Sequence, residues 1–211
     1  MAATKSLNTP LSAAEIVVLC DGVHYGADFQ ALDVSSDSRN LRAGELFIAL
    51  RGANFRGEDF LAAAKGRGAV AAIVAEYQPE VDLPQIVVAD TLVALQALAR
   101  DRRARSQAQF FAITGSNGKT STKEILQRLL QTRGQTLATL GNLNNDIGVP
   151  LTLLRLRDED RYAVIEMGAN HPGEIAALVA LARPDVALIT NVAPAHLAGF
   201  GTLEGVIAAK S

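Results

Sequence analysis

From Gln109 onward, short apolar runs rich in β-branched residues alternate with segments of helical period, and this alternation constrains the fold more than any other feature of the chain. Residues 110–114, 136–140, 162–167 and 187–191 read as strands. Residues 119–133, 147–156, 172–182 and 203–210 read as helices, with Gly134 closing the first, Pro150 tolerated in the first turn of the second and Pro172 at the first position of the third. Each helix returns the chain to the end of the sheet where the previous strand began, so successive strands run parallel. Their carboxyl ends then share one edge, where ligands of open parallel sheets bind.

The first hundred residues alternate less regularly. Ser12 and Glu15 have capping-box spacing and open a helix over 12–21 that Gly22 can close. Strands are expected at 29–34, 45–50, 69–75 and 85–89, and helices at 59–65 and 91–105, the latter with Leu92, Leu95 and Ala99 on its apolar stripe. That helix ends in Arg100, Arg102, Arg103 and Arg105, which read as a solvated helix end favoured by the macrodipole rather than a nucleic-acid patch. A boundary near residue 107 divides the chain into domains at 1–107 and 108–211.

Composition narrows what such a chain can bind. Its 211 residues are 49% hydrophobic and 20% charged, enough to bury a core without disulfide or metal staples. Twenty basic residues against 22 acidic ones create no field that attracts nucleic acid or an anionic membrane. Any anionic ligand must be held locally. Cys20 is the only cysteine, which excludes an internal disulfide and a Cys-rich metal cluster and fits a reducing compartment. The polar start has no signal-peptide pattern, and no apolar run approaches a membrane span of about 18 residues, so the expected location is the cytoplasm.

The most informative segment is Ile113-Thr114-Gly115-Ser116-Asn117-Gly118-Lys119-Thr120, where a buried strand passes through a glycine turn directly into a helix. Gly115 and Gly118 allow the backbone to turn tightly and aim N–H groups at an anion. The helix dipole favours negative charge, Lys119 can reach β- and γ-phosphates, and the Thr120 hydroxyl can bind Mg²⁺. The eight-residue consensus is not met, because Ile113 stands where its first glycine would fall; the loop is a shorter G-x-x-G-K-T. The bland alternative is a glycine turn before a helix with an exposed lysine. The candidate ATP and phosphate-binding residues are Gly115, Ser116, Asn117, Gly118, Lys119, Thr120 and Ser121.

Other strand ends are polar as well. Glu166 closes an apolar strand and is placed like the acid that completes an Mg²⁺ shell, although an ordinary strand-end carboxylate would look the same. His196 follows the last strand. Asn142, Asn144 and Asn145 offer uncharged amides suited to phosphate or sugar oxygens, or serve only as turn formers. His24, His171 and Tyr25 carry no separable signal.

Residues 114–120, Ile165-Glu166-Met167-Gly168-Ala169-Asn170 and Asn191-Val192-Ala193-Pro194-Ala195-His196 together resemble the three signature stretches of the Mur ligases, which form amide bonds. Asp37-Ser38-Arg39 followed by residues 43–52 is similar to the UDP-binding N-terminal domain of the tripeptide- and pentapeptide-forming members. Residues 141–150 resemble the branch that joins D-Ala-D-Ala to UDP-MurNAc-tripeptide in peptidoglycan synthesis. The resemblance implies a small mixed α/β N-terminal domain that binds the UDP precursor, then a P-loop-type parallel-sheet ATPase domain. It also implies that a substrate carboxylate attacks ATP, giving an acyl phosphate that the incoming amine converts to an amide.

By the same resemblance Lys119, Glu166, His196 and Lys210 are the catalytic residues. Thr120 and Glu166 would hold one Mg²⁺, with His196 and a carbamylated Lys210 serving a second. Ser36 and Ser38 would lie near the uracil, and Asn142, Asn144 and Asn145 near the pyrophosphate or peptide. The family's central domain continues past the position of Ser211 and a Rossmann-like domain follows, so the chain is expected to be a truncated, monomeric piece with little ligase activity of its own. A P-loop kinase and a non-catalytic UDP-precursor-binding fragment remain the competing readings. A GTPase is disfavoured by the lack of an N-K-x-D motif. Folate-type polyglutamate ligases are disfavoured by the hundred residues upstream of the loop.

Overall fold

The computed structural model describes residues 8–52 and 55–193, together with 202, 205 and 207. The chain divides into two compact units, Met1–Asp101 and Arg102–Ser211.

The first unit opens with α1 (Ala13–Cys20), started by the expected capping box: the Glu15 N–H donates to Ser12 Oγ at 3.3 Å and the Ser12 N–H donates back to Glu15 Oε2 at 2.9 Å. Its closing residue is Asp21, at φ +50°, and not Gly22. Gly22 is needed for space instead, since a Cβ there would stand 2.6 Å from Ile86 Cγ2. Cys20 sits at the end of α1, where its thiol donates to the Ala94 carbonyl and burial pushes its pKa up to about 12. That is a packed thiol and not a reactive one.

Five strands form the sheet of this unit: β1 (Val23–Tyr25), β2 (Asp33–Ser35), β3 (Glu45–Ile48), β4 (Ala71–Val74) and β5 (Gln85–Val87), in spatial order β1-β5-β4-β3-β2. All pairings are parallel except β1 with β5. One face packs Phe47, Ala72 and Val74 against Leu61 and Ala64 of α2 (Leu61–Gly66).

Three details differ from expectation. The strand read over 29–34 is two pieces, because exposed Leu32 separates Gln30–Ala31, paired with Leu11–Ser12, from β2. The helix at 59–65 begins as a 3₁₀ turn over Gly57–Phe60. The three-residue edge strand β1 gave no sequence signal, being short and mostly exposed.

Helix α3 (Thr91–Arg105) forms over the expected span and buries Ala94, Leu95, Leu98 and Ala99. Asp90 caps it through Oδ1, which accepts from the Leu92 and Val93 amides. Arg100 is exposed as the solvated reading expects, but Arg102 and Arg103 correct it. Arg102 is buried and donates to the Leu156 carbonyl. Arg103 donates to the carbonyls of Ala182 and Arg183 and lies 3.7 Å above the Phe110 ring. Their positive charge faces backbone carbonyls at or just past the ends of two neighbouring helices, which need donors.

Among the described residues, the second unit has four strands: β6 (Gln109–Thr114), β7 (Thr136–Ala138), β8 (Tyr162–Glu166) and β9 (Val186–Ile189). They lie in the order β7-β8-β6-β9, all parallel as anticipated. Between them run α4 (Lys119–Gln131), α5 (Gly148–Leu154) and α6 (Glu174–Ala182). Ile113, Ala138 and Val164 make a core that Leu126 and Leu130 of α4 cover. Gly134 does close the turn after α4, its N–H donating to the Leu130 carbonyl at 3.1 Å. Pro172 is not the first residue of α6: Gly173, at φ +86°, intervenes, and Glu174 Oε2 turns the chain by accepting the amides of Asn170 and His171. The helix read over 203–210 lies largely outside the described residues, of which 205 and 207 are helical.

Register decides what converges. Ile113 pairs with both Glu166 and Leu188, and Thr114 pairs with Ile189. The segments leaving β6, β8 and β9 therefore depart side by side from one edge. Among the described residues, no helix is long and apolar enough to cross a membrane.

Candidate functional site

The loop after β6 is built by two glycines with different tasks. Gly115 has φ +143°, and a Cβ on it would collide with Thr190 Oγ1 and come within 3.1 Å of the Asn191 carbonyl. Gly118 has φ +78°, faces open space and is the residue from which α4 starts. Gly118 has no side chain with which to cap that helix start. Thr120 and Ser121 are exposed on its first turn.

The segment after β9 braces this loop. The Ser116 N–H donates to the Asn191 carbonyl at 3.0 Å, and the Asn117 N–H to Asn191 Oδ1 at 2.9 Å. Ser116 Oγ exchanges hydrogen bonds with the backbone of Ala193. Thr190 Oγ1 donates to the Asn117 carbonyl at 2.6 Å, and the Thr190 N–H to that of Thr114 at 2.9 Å. Lys119 Nζ lies over the loop, 2.8 Å from the Gly115 carbonyl. Sequence reasoning named neither Thr190 nor Asn191 as site residues. The available signal was a polar pair directly after an apolar strand, of which Asn191 opens the stretch already singled out for His196.

Glu166 ends β8 with 2% of its surface exposed. Its N–H donates to Thr139 Oγ1, and its Oε1 accepts from Asn144 Nδ2 at 2.8 Å. Its Oε2 is buried without a hydrogen-bond partner, as is the hydroxyl of Thr114 on the paired strand. A buried carboxylate oxygen with nothing to accept from is costly unless something occupies its lone pairs, and a hard cation suits an oxygen of that kind. Among the described residues no three His, Cys, Asp or Glu side chains cluster as a complete protein cage. A magnesium site would not need one, because Mg²⁺ typically uses one or two protein oxygens together with phosphate and water.

The asparagine loop after β7 is more structural than its composition suggests. Asn145 Oδ1 accepts the Gly148 N–H at the start of α5, and Asn144 points at Glu166. Asn142 is exposed. His196 and Lys210 lie outside the described residues.

Ser36 and Ser38 belong to the first unit, in a turn after β2. Ser38 is buried, and Asp37 between them takes both guanidinium contacts of Arg39 and the amide of Asn40. The hydrogen bonds from Arg39 hold the Asp37 carboxyl down to about 2. Because the folded-state pKa is depressed, any stability this pair adds is present above the ordinary carboxylate range and fades as pH falls toward 2. Arg39→Ala is expected to return the Asp37 titration toward about 4, read by carboxyl carbon NMR, with little effect on the melting midpoint because the pair is exposed. An unmoved titration would show that Arg39 is not what depresses it.

Fold and loop together define an α/β unit of P-loop architecture, preceded by a separate mixed-sheet unit. The chain matches the sequence profile of the Mur ligase middle domain over residues 113–211 and that of "Mur ligase family, catalytic domain" over residues 33–103. It belongs to the Mur ligase family. It is 49% identical to the UDP-N-acetylmuramoyl-tripeptide–D-alanyl-D-alanine ligase of Escherichia coli K12, over 95% of this chain and 44% of that protein. The Haemophilus influenzae ligase of the same name is 45% identical over 86% of this chain and 40% of its own length. Among solved structures, MurF from Acinetobacter baumannii superposes with a TM-score of 0.89 at 40% identity, covering 95% of this chain and 45% of that one. MurF ligase from Thermotoga maritima in complex with ADP gives 0.76 at 37% identity, covering 84% and 42%. The chain thus spans less than half the length of these relatives.

Proposed function

We propose that this chain provides the UDP-precursor-binding unit and part of the ATP-binding unit of a cytoplasmic ligase that adds D-Ala-D-Ala to UDP-MurNAc-tripeptide through an acyl phosphate. The observation that carries the ATP half is the register that sets the Gly115–Lys119 loop beside the orphaned Oε2 of Glu166. A carboxylate attacking the γ-phosphate brings two anions together, so the site must concentrate positive charge there. Lys119 supplies one such charge. Thr120 and Glu166 would hold Mg²⁺, which when bound neutralises phosphate charge. His196 and Lys210, if carbamylated, are assigned to a second ion. Loop amides and the start of α4 orient the phosphates, with Gly115 to Ser121 as the contact set. Ser36 and Ser38 are assigned to the uracil end of the precursor, and Asn142, with the asparagine loop, to its pyrophosphate or peptide.

Calorimetry on the 211-residue chain tests the two halves separately. Saturable binding of both Mg·ADP and UDP-MurNAc-tripeptide is expected. Binding of the UDP precursor alone would support the non-catalytic reading, and binding of neither would overturn both assignments.

A further inference from the structure

The carboxylate of Glu166 is fixed at one oxygen and bare at the other, and the fixing group, Asn144, comes from the loop after β7. A carboxylate can only accept, so the group facing Oε1 must be the NH₂ of Asn144 and its carbonyl oxygen must turn away. Three further contacts hold that geometry. The Asn144 carbonyl accepts the Gly168 N–H at 2.8 Å, tying the loop to the chain two residues beyond Glu166. Gly168 has no side chain, and a Cβ there would stand 2.9 Å from Asn144 Oδ1 and 3.0 Å from its Cγ, so the amide rests directly on that backbone. The Glu166 N–H is anchored on Thr139 Oγ1.

We propose that Asn144 is a positioning residue: by occupying Oε1 it aims the other oxygen of Glu166 at a divalent cation on the nucleotide phosphates. This assignment rests on the metal-nucleotide reading above. Without the amide, Glu166 can rotate or take the cation through either oxygen, and ligands released from such a partner lose about 10- to 100-fold in metal affinity.

The test compares ADP affinity with Mn²⁺ and in EDTA, for the wild-type chain, Glu166→Gln, Asn144→Ala and Gly168→Ala. In the wild type Mn²⁺ is expected to strengthen ADP binding, and Glu166→Gln to remove most of that gain. Asn144→Ala is expected to reduce the gain at least about tenfold while leaving ADP affinity in EDTA unchanged, and to lower the melting midpoint because the buried carboxylate loses its donor. Gly168→Ala, which touches neither side chain chemically, should reproduce the effect in part by pushing the amide aside. No gain in the wild type, or a full gain in Glu166→Gln, would overturn the metal reading itself. A full gain in Asn144→Ala alongside its loss in Glu166→Gln would overturn this proposal alone, and so would an Asn144→Ala variant that weakens ADP equally with and without Mn²⁺.

Discussion

Gly115→Ala is expected to abolish detectable ADP binding and to lower the stability of the second unit by about 2–6 kcal/mol, through two separable faults. The backbone at φ +143° lies where residues with a Cβ are strained, by about 1–3 kcal/mol. The new methyl also strikes Thr190 Oγ1, the hydroxyl that donates to the Asn117 carbonyl. Overpacking of this kind costs about 1–3 kcal/mol, and here it displaces the strand that braces the loop amides. Gly118→Ala is the control. Its φ is also positive, but nothing lies within 4 Å of the added carbon, so only the backbone cost remains, about 1–2 kcal/mol. Chemical denaturation of both variants ranks them, and an equal or smaller loss in Gly115→Ala would remove Thr190 from the explanation. A double-mutant cycle adds a second check. Thr190→Ala alone should cost about 1 kcal/mol for its lost hydrogen bond, yet less than that in the Gly115→Ala background, where removing Oγ1 also relieves the collision.

Thr190 also illustrates why part of the site could not be read from the sequence. Strand–helix alternation from Gln109 onward was legible because parallel strands buried on both faces give short apolar runs, and each crossover helix gives a distinct period. That logic recovered the four described strands of the second unit, the position of the Gly115–Lys119 loop between strand and helix, and the strand-end placement of Glu166. Spatial order was not legible, since nothing local to β9 states that it lies beside β6. Hence the bracing of Ser116 and Asn117 by Asn191, a contact across more than seventy residues, went unforeseen. The arginines ending α3 failed for the same reason. A basic helix end looks solvated until Leu156, Ala182 and Arg183 are known to present carbonyls to it. Asn144 is an intermediate case: its amide was recognised as a donor, but the acceptor facing it is a carboxylate of the same chain.

Lys119→Ala should weaken ADP binding about 10- to 150-fold while changing stability by no more than about 1 kcal/mol, and the contrast between those effects is what identifies its role. In the loop Nζ donates to the Gly115 carbonyl at 2.8 Å and reaches toward that of Ser116 at 3.5 Å. Both contacts are only part-buried, on the Lys119 side, so water can replace the ammonium at little net cost. A phosphate oxygen has no such substitute. Hydrogen bonds to charged groups are worth about 1.5–3 kcal/mol, which converts to the affinity loss expected here. Lys119→Arg should not restore binding, because a planar, delocalised guanidinium does not present a point charge at the same place. The loss should also depend on the ligand. If Nζ serves the β-phosphate, AMP affinity stays near wild type while ADP affinity falls; equal loss for both would place the lysine against the α-phosphate, and no loss for either would leave the loop a glycine turn with an incidental lysine.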